Sequence, residues 1–411
     1  MDEISRCNQS DIIFRVKCSN CTESNKFLRV FYERLCEFKP LAWHFSTYRV
    51  GHLIHIGWAY FGEMWISYEA RGALSKVYIN TYNDELHLVV REALKYAQYH
   101  YNELKLYNVQ VSFSGIPFHD MSKNNIRIET IKKDNEVYNK ISFFVYAYGE
   151  YDIEYIVRQK TNYLKHILCA FTNKTFQFSK IKVSSSAETM FQENEWVEPD
   201  KKWVDDDDVF RLIEGTNDYE IVLLYDFFDL FRIVLDNSEY DKRIRLILNS
   251  AQELYSGKLL SNEVDRSGIL RVPGIVDAIN TITVSALEPL SCLEEFKVEK
   301  CKLCGNNVYS ISKRVRTLCK KYLPENMVKY IIDEAYVERS KFLHEGYAST
   351  TEFRGRRSTP LLNPVDGRSV LNGGSYVNIN LYEYVAYVFR MVVNEEITSR
   401  AESLNASLHD N

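Results

Sequence analysis

Arginine carries a charge that never titrates in a protein, and histidine exchanges a proton near neutral pH. Together they would serve an anionic substrate, one as a fixed cation and the other as a general acid or base. Arg339 and His344 stand five residues apart in PENMVKYIIDEAYVERSKFLHEG, residues 324–346. Val328, Ile332, Ala335 and Phe342 recur there at helical spacing, and Arg339 falls on the same inward stripe. A guanidinium on a core-facing stripe must find a partner, because burying an unpaired charge is costly. From the two residues alone a second assignment stays open. Arg339 would pair with a carboxylate of a neighbouring helix, and His344 would face solvent at the helix C-terminus.

The elements that must hold this pair read clearly. Pro324 suits a first helical turn, Glu325 suits the positive end of the helix dipole, and Gly346 suits the residue just past the end. Before it, ITVSALEPLSCLEEF (282–296) reads as part of one long apolar helix over 272–296, and VYSISKRVRTL (308–318) opens another. After it, LYEYVAYVFRMVVNEEI (381–397) is amphipathic.

ERSKFLHEG and the order of helices around it resemble the HEPN superfamily, in particular its Apea-like group, over the second half of the chain only. The resemblance implies an all-α bundle and metal-independent RNA cleavage. The 2′-hydroxyl attacks the adjacent phosphate, leaving a 2′,3′-cyclic phosphate and a 5′-hydroxyl, so DNA resists. It implies His344 as general acid/base, Arg339 on the phosphate, and Ser340 beside it in support. It also implies a homodimer that brings two copies of the motif together across a two-fold axis. Glu288 is the carboxylate expected to pair with Arg339, either to orient it for catalysis or as a structural salt bridge. A role in prokaryotic antiphage defence or as a toxin follows from the family, with RNA such as transfer RNA as substrate. The same family holds non-catalytic modules that bind RNA, nucleotides or proteins, and that is the competing expectation.

Between residues 347 and 378 lies a glycine-rich stretch with Arg354, Arg356, Arg357 and Arg368. A loop this long is either functional or only solvated, and its arginines, with Lys341, are candidate RNA-backbone contacts. Cys301-Lys-Leu-Cys304-Gly305 has the shape of half a zinc site, and Cys18-Ser-Asn-Cys21 is another half. The two pairs would make a structural four-sulfur zinc site, or remain two unrelated reduced turns. Catalysis itself calls for no cofactor.

The first half alternates in strand fashion, with helices at 26–38, 84–104 and 155–172, so it is expected to be a mixed domain (1–195) with an antiparallel sheet. A charged linker follows over 187–208, and from 209 every element is expected to be helical (205–405), including 209–215. The whole is therefore α+β. The first domain is expected to sense a phage-derived or other activating ligand and restrain the second.

Net charge is −5 with 26% charged and 45% hydrophobic residues, which excludes a basic nucleic-acid coat and leaves room for a local patch only. Asp226, Asp229 and Arg232 interrupt the most apolar run, 219–235, so no membrane span is expected. Nine cysteines without a secretory leader predict reduced thiols and a cytoplasmic protein.

Overall fold

The computed structural model describes residues 11–69, 72–123, 125–133, 136–184, 210–212, 219–221, 225–236, 240–267, 274–294, 299–300, 307–308, 311–346, 360–362, 370–372 and 381–409. The chain divides into two compact units. One comprises Met1–Asn108, Val145–Arg158 and Val183–Glu188, the other Val109–Phe144, Gln159–Lys182 and Thr189–Asn411. The linker expected over 187–208 lies outside the described residues.

The first unit is built on a five-stranded sheet from β1 (Ile12–Arg15), β2 (Tyr48–Val50), β3 (Leu53–Ala59), β4 (Gly62–Tyr68) and β5 (Leu74–Thr81). Its order is β1-β5-β4-β3-β2, antiparallel throughout. Period-two alternation sends Ile12, Met64, Ile66, Val77 and Ile79 to one face. There they pack on α1 (Cys21–Phe38) and α2 (Asp84–His100) through Phe27, Phe31, Val90 and Leu94, all buried. Both helices start on an asparagine: Asn20 accepts the Glu23 N–H at 3.0 Å, and Asn83 accepts the Leu86 N–H at 2.9 Å. Asn20 begins α1 five residues earlier than its apolar pattern predicts. Arg29 and Glu33, one turn apart on α1, hold the start of α3 (Glu150–Thr172). Arg29 grips the Asp152 carboxylate with both ends at 2.7 Å, and Glu33 accepts the Asp152 N–H at 2.8 Å.

The second unit holds residues of a sheet ordered β10-β6-β9-β8-β7. Its strands are β6 (Lys105–Ser114), β7 (Met121–Lys123), β8 (Ile126–Lys133), β9 (Glu136–Ala147) and β10 (Gln177–Ser184). The remainder of this unit is mainly helical: α4 (Tyr225–Asp236), α5 (Lys242–Ser267), α6 (Ile275–Ser285), α7 (Leu287–Ser291) and α8 (Ile311–Tyr322) come first. Glu325–Met327, a π turn at Val328–Ile332, and Asp333–Glu345 then run on as one helix, α9. The C-terminal helix α10 (Leu381–His409) packs against α4, α5, α6, α7 and α8 with Val385, Val388, Phe389 and Val393 buried. Among the described residues no helix is long and apolar enough to cross a membrane.

The expectation of an all-helical second half is corrected by three short ribbons. Phe210–Leu212 pairs with Tyr219–Ile221, Glu299–Lys300 with Asn307–Val308, and Pro360–Leu362 with Val370–Asn372. VFRLIEG is too short for periodicity to separate helix from strand, and the two-residue spacing of Phe210 and Leu212 fits the observed strand. The third ribbon lies inside the expected loop 347–378, whose Arg354, Arg356, Arg357 and Arg368 fall outside the described residues. The long helix expected over 272–296 is broken at Ala286.

Two carboxylates tie α5 to α10. Glu396 receives Arg243 at 2.7 Å and Arg400 at 2.8 Å, while Arg400 also reaches Asp241 at 2.7 Å. Burial alone would raise both carboxyls. The two arginines outweigh it for Glu396, and the Ile244 N–H with Arg400 outweighs it for Asp241, so both lie below their ordinary values. A carboxyl depressed by folding stabilises the fold above its unfolded value and loses that contribution as pH falls. The thermal midpoint is therefore expected to drop from about pH 4.5 downward, and Glu396→Gln to flatten that drop; calorimetry across pH 3–6 measures it.

In the first sheet the ladder slips between His55 and Gly57, and Gly57 has φ +114°. A Cβ there would stand 2.1 Å from the His44 carbonyl oxygen. Gly57→Ala is expected to cost roughly 2 kcal/mol or more, read as a shift of the urea midpoint, because both the angle and the space exclude a side chain.

Candidate functional site

Pro289 has no N–H to give the Ser285 carbonyl one turn back, so the helix cannot continue smoothly through Ala286. The Ala286 N–H turns instead to Thr283, and the Ala286 carbonyl accepts the buried Ser250 hydroxyl of α5 at 2.7 Å. This break presents two side chains at one corner, Ser285 at the end of α6 and Glu288 in α7. Arg339 of α9 bridges them. Its Nη2 lies 2.7 Å from Glu288 Oε1, and its Nε donates to Ser285 Oγ at 2.9 Å. Tyr336, three residues back on the same helix, donates its hydroxyl to Glu288 Oε1 at 3.2 Å and sets its ring 5.5 Å from the guanidinium carbon.

Arg339 is thus half-buried in a cradle of carboxylate, hydroxyl and ring. Two of its five donors are engaged by protein groups. The surroundings are acidic. Burial, then the Glu288 charge, pushes the Tyr336 hydroxyl well up, and burial with Glu288 raises Glu253. Burial, Asp277 and Glu334 raise Glu338.

The sequence placed Arg339 on the inward face, and the structure has it there with Val328, Ile332 and Ala335 buried beside it. Gly346 ends the helix at φ +66°, its N–H on the Lys341 carbonyl. Pro324 precedes the first helical residue, one position before the first-turn place its ring suits. The π turn, in which the Asp333 N–H reaches back five residues to Val328, lies one turn before the cradle.

His344 faces the other way. Five residues turn an α-helix by about 500°, leaving the ring about 140° round from Arg339 and about 7.5 Å along the axis. Val337, Ser340, Lys341 and His344, at i, i+3, i+4 and i+7, form one exposed stripe, with Val337 54% accessible. His344 and Ser340 have no hydrogen-bond or ion-pair partner among the described residues. The structure therefore brings Arg339 to Glu288, sets Ser340, Lys341 and His344 together on the open stripe, and separates the two groups within one chain.

Cys21 is the first residue of α1 and Cys18 lies in the turn before it. Asn25 Nδ2 donates to Cys21 Sγ at 3.6 Å. Burial pushes the Cys18 thiol up, opposed by a Ser24 hydrogen bond and aided by the Glu23 charge. Cys301 and Cys304 lie outside the described residues. Among the described residues no three His, Cys, Asp or Glu side chains group as a metal site.

No family model, curated protein or solved structure matches the chain. Its site is read from its own residues. Sequence reasoning missed Ser285 and Tyr336. Tyr336 was within reach, since residues three apart on a helix are neighbours. Ser285 gave no signal, because its partner is 54 residues away.

Glu288→Ala would leave a half-buried guanidinium without its carboxylate. It is expected to cost about 1–3 kcal/mol by chemical denaturation, and Glu288→Gln less, because the amide oxygen still accepts.

Proposed function

We propose that the chain is a metal-independent endoribonuclease of HEPN type that acts as a homodimer, with Arg339 and His344 as its catalytic pair. The carrying observation is the held guanidinium on the helix whose last turn leaves an imidazole open to solvent. Arg339 is fixed by Glu288 and Ser285 and keeps donors spare for a phosphate oxygen. Such preorganised charge costs no rearrangement as the phosphorane forms. The His344 ring is free to move the proton of the 2′-hydroxyl or of the leaving 5′-oxygen. Since the two side chains diverge on one helix, the reading requires a second copy. A two-fold axis beside the stripe Val337–Ser340–Lys341–His344 supplies the partner's imidazole and arginine to a shared cleft. Lys341 on that stripe lends a cation to the RNA backbone, and Ser340 a hydroxyl near it. Defence or toxin action triggered through the first unit is the setting this reading gives the enzyme.

A second reading rests on the same cradle. Glu288 already neutralises Arg339; burial, then Glu288, raises Glu253, and burial, then Asp277 and Glu334, raises Glu338. Arg339 would then be a structural ion pair in a module that binds RNA, a nucleotide or a protein without cutting, with zinc at the cysteine pairs as a stabiliser. Elemental analysis of the purified protein decides the zinc.

Incubation with total RNA in EDTA separates the readings. Fragments ending in 2′,3′-cyclic phosphate are expected from the wild type. His344→Ala and Arg339→Ala are each expected to lose at least about 100-fold in rate, with the dimer intact by light scattering. DNA of the same sequence is expected to stay whole. Full retention of cleavage by both variants removes the catalytic assignment.

A further inference from the structure

Cys18 and Cys21 meet at the start of α1 in the first unit. The chain bends at Ser19 and Asn20, and Asn20 caps the helix, so Cys18 folds back onto the turn that Cys21 begins. Two hydrogen bonds locate the thiols. Cys18 shares one with Ser24, and Asn25 Nδ2 donates to Cys21 Sγ at 3.6 Å. Ser24 and Asn25 are three and four residues beyond Cys21, the positions that lie against it on a helix. Both sulfurs therefore sit on one turn, beside adjacent partners.

This corner is open, unlike the core below it. Cys21 is exposed and Cys18 half-buried. Gly72, just before β5, has φ +72°, and a Cβ there would stand 3.1 Å from Cys21 Cβ and 3.6 Å from its sulfur. The glycine leaves Cys21 the space that a side chain would take. The Ser24 hydroxyl does not depend on Cys18. It accepts the Leu74 N–H at 2.8 Å and has the carbonyls of Asn20 at 2.8 Å and Gly72 at 3.0 Å to donate to, so releasing Cys18 leaves it satisfied.

The other described cysteines differ. Cys36, Cys169 and Cys319 are buried, and burial pushes the Cys169 thiol up to about 11 and Cys319 up to about 12. Cys292 is exposed, but its nearest cysteine in sequence is Cys301. Among the described residues, only Cys18 and Cys21 combine an exposed thiol with a second thiol on the same turn.

We propose that Cys18 and Cys21 form a reversible dithiol–disulfide pair that reacts with small disulfides of the glutathione class. Cys21 Sγ, as thiolate, attacks one sulfur of the small disulfide and expels the other half, which takes up the proton Cys21 released. The Cys18 thiolate then attacks Cys21 Sγ and expels the second half in the same way. Two protein thiols become one disulfide, one small disulfide becomes two small thiols, and two electrons pass from the protein sulfurs to the small molecule. Cys21 reacts first because solvent reaches it; Cys18, held beside it by Ser24, resolves the mixed disulfide. This use takes the place of the zinc half-site at these positions. It is independent of whether the second unit cuts RNA.

The test uses the intact protein, incubated with oxidised glutathione, blocked with iodoacetamide and digested with trypsin. Cleavage after Lys17 and Lys26 puts both cysteines in one peptide, 18–26. That peptide is expected to emerge unalkylated and two hydrogens lighter, and to recover them with dithiothreitol. It should form at least about 10-fold faster than Cys36, Cys169 or Cys319 is modified. Cys18→Ser is expected to trap the first step as a glutathione mixed disulfide on Cys21. Cys21→Ser is expected to slow modification of Cys18 at least about 10-fold. The proposal is overturned by an unchanged peptide in excess oxidised glutathione, by a mixed disulfide that persists on Cys21 of the wild type while Cys18 stays free, or by joining of either residue to another cysteine or another chain. Zinc held by the native protein and lost from both serine variants overturns it as well. These readouts are masses and metal content, not cleavage, so their failure and that of the RNA assay are separate results.

Discussion

One guanidinium crossing one break in a helix organises the candidate catalytic region. A helix interrupted by Pro289 leaves a carbonyl and two side chains at a corner, and a corner is held only if something binds both of its arms. Ser250 binds the Ala286 carbonyl from α5, while Arg339 binds Ser285 on one arm and Glu288 on the other from α9. Remove the arginine and Ser285 and Glu288 lose the group that joins them, each keeping one partner on its own side, Thr281 and Tyr336. The same residue that would hold a phosphate therefore also holds α6, α7 and α9 in register, and its dual use explains why it sits on the apolar stripe rather than on the solvent face.

The first sheet shows the opposite economy. Its inner face is a conventional core of Phe27, Phe31, Ile66 and Ile79. Its outer face leaves the Trp65 indole N–H and the Asn80 amide oxygen without hydrogen-bond partners among the described residues, and sets Lys76 opposite Arg15. Gly57 contributes by its missing side chain: across the register slip beside it, His55 stands opposite Trp65 and Trp58 opposite Glu63.

Much of this was legible before any coordinates. The strand at 126–133 reads directly from alternation and matches its observed bounds, and Asn83 announces the helix at Asp84. The inward placement of Arg339 follows from spacing alone, and the ends of its helix follow from Pro324 and Gly346. Other features were visible but misweighed. Pro289 marks the break at Ala286, yet the apolar run on both sides suggested one helix; Asn20 with Glu23 marks the start of α1, yet the hydrophobic pattern begins later. The pairings that make the site were not legible. Ser285 meets Arg339 across 54 residues, a separation that no local pattern encodes. The divergence of His344 from Arg339 was implicit in a spacing of five, and it turns a one-chain site into one that needs a mate.

The most direct test of that shared site is side-chain NMR. The Arg339 Nε–H and the His344 ring would be followed while a single-stranded RNA with 2′-fluorine at every sugar, which binds without being cut, is titrated in. The account predicts that both signals move with one common saturation curve in the dimer. Movement of neither, while the protein remains dimeric and the RNA is in excess, would contradict it.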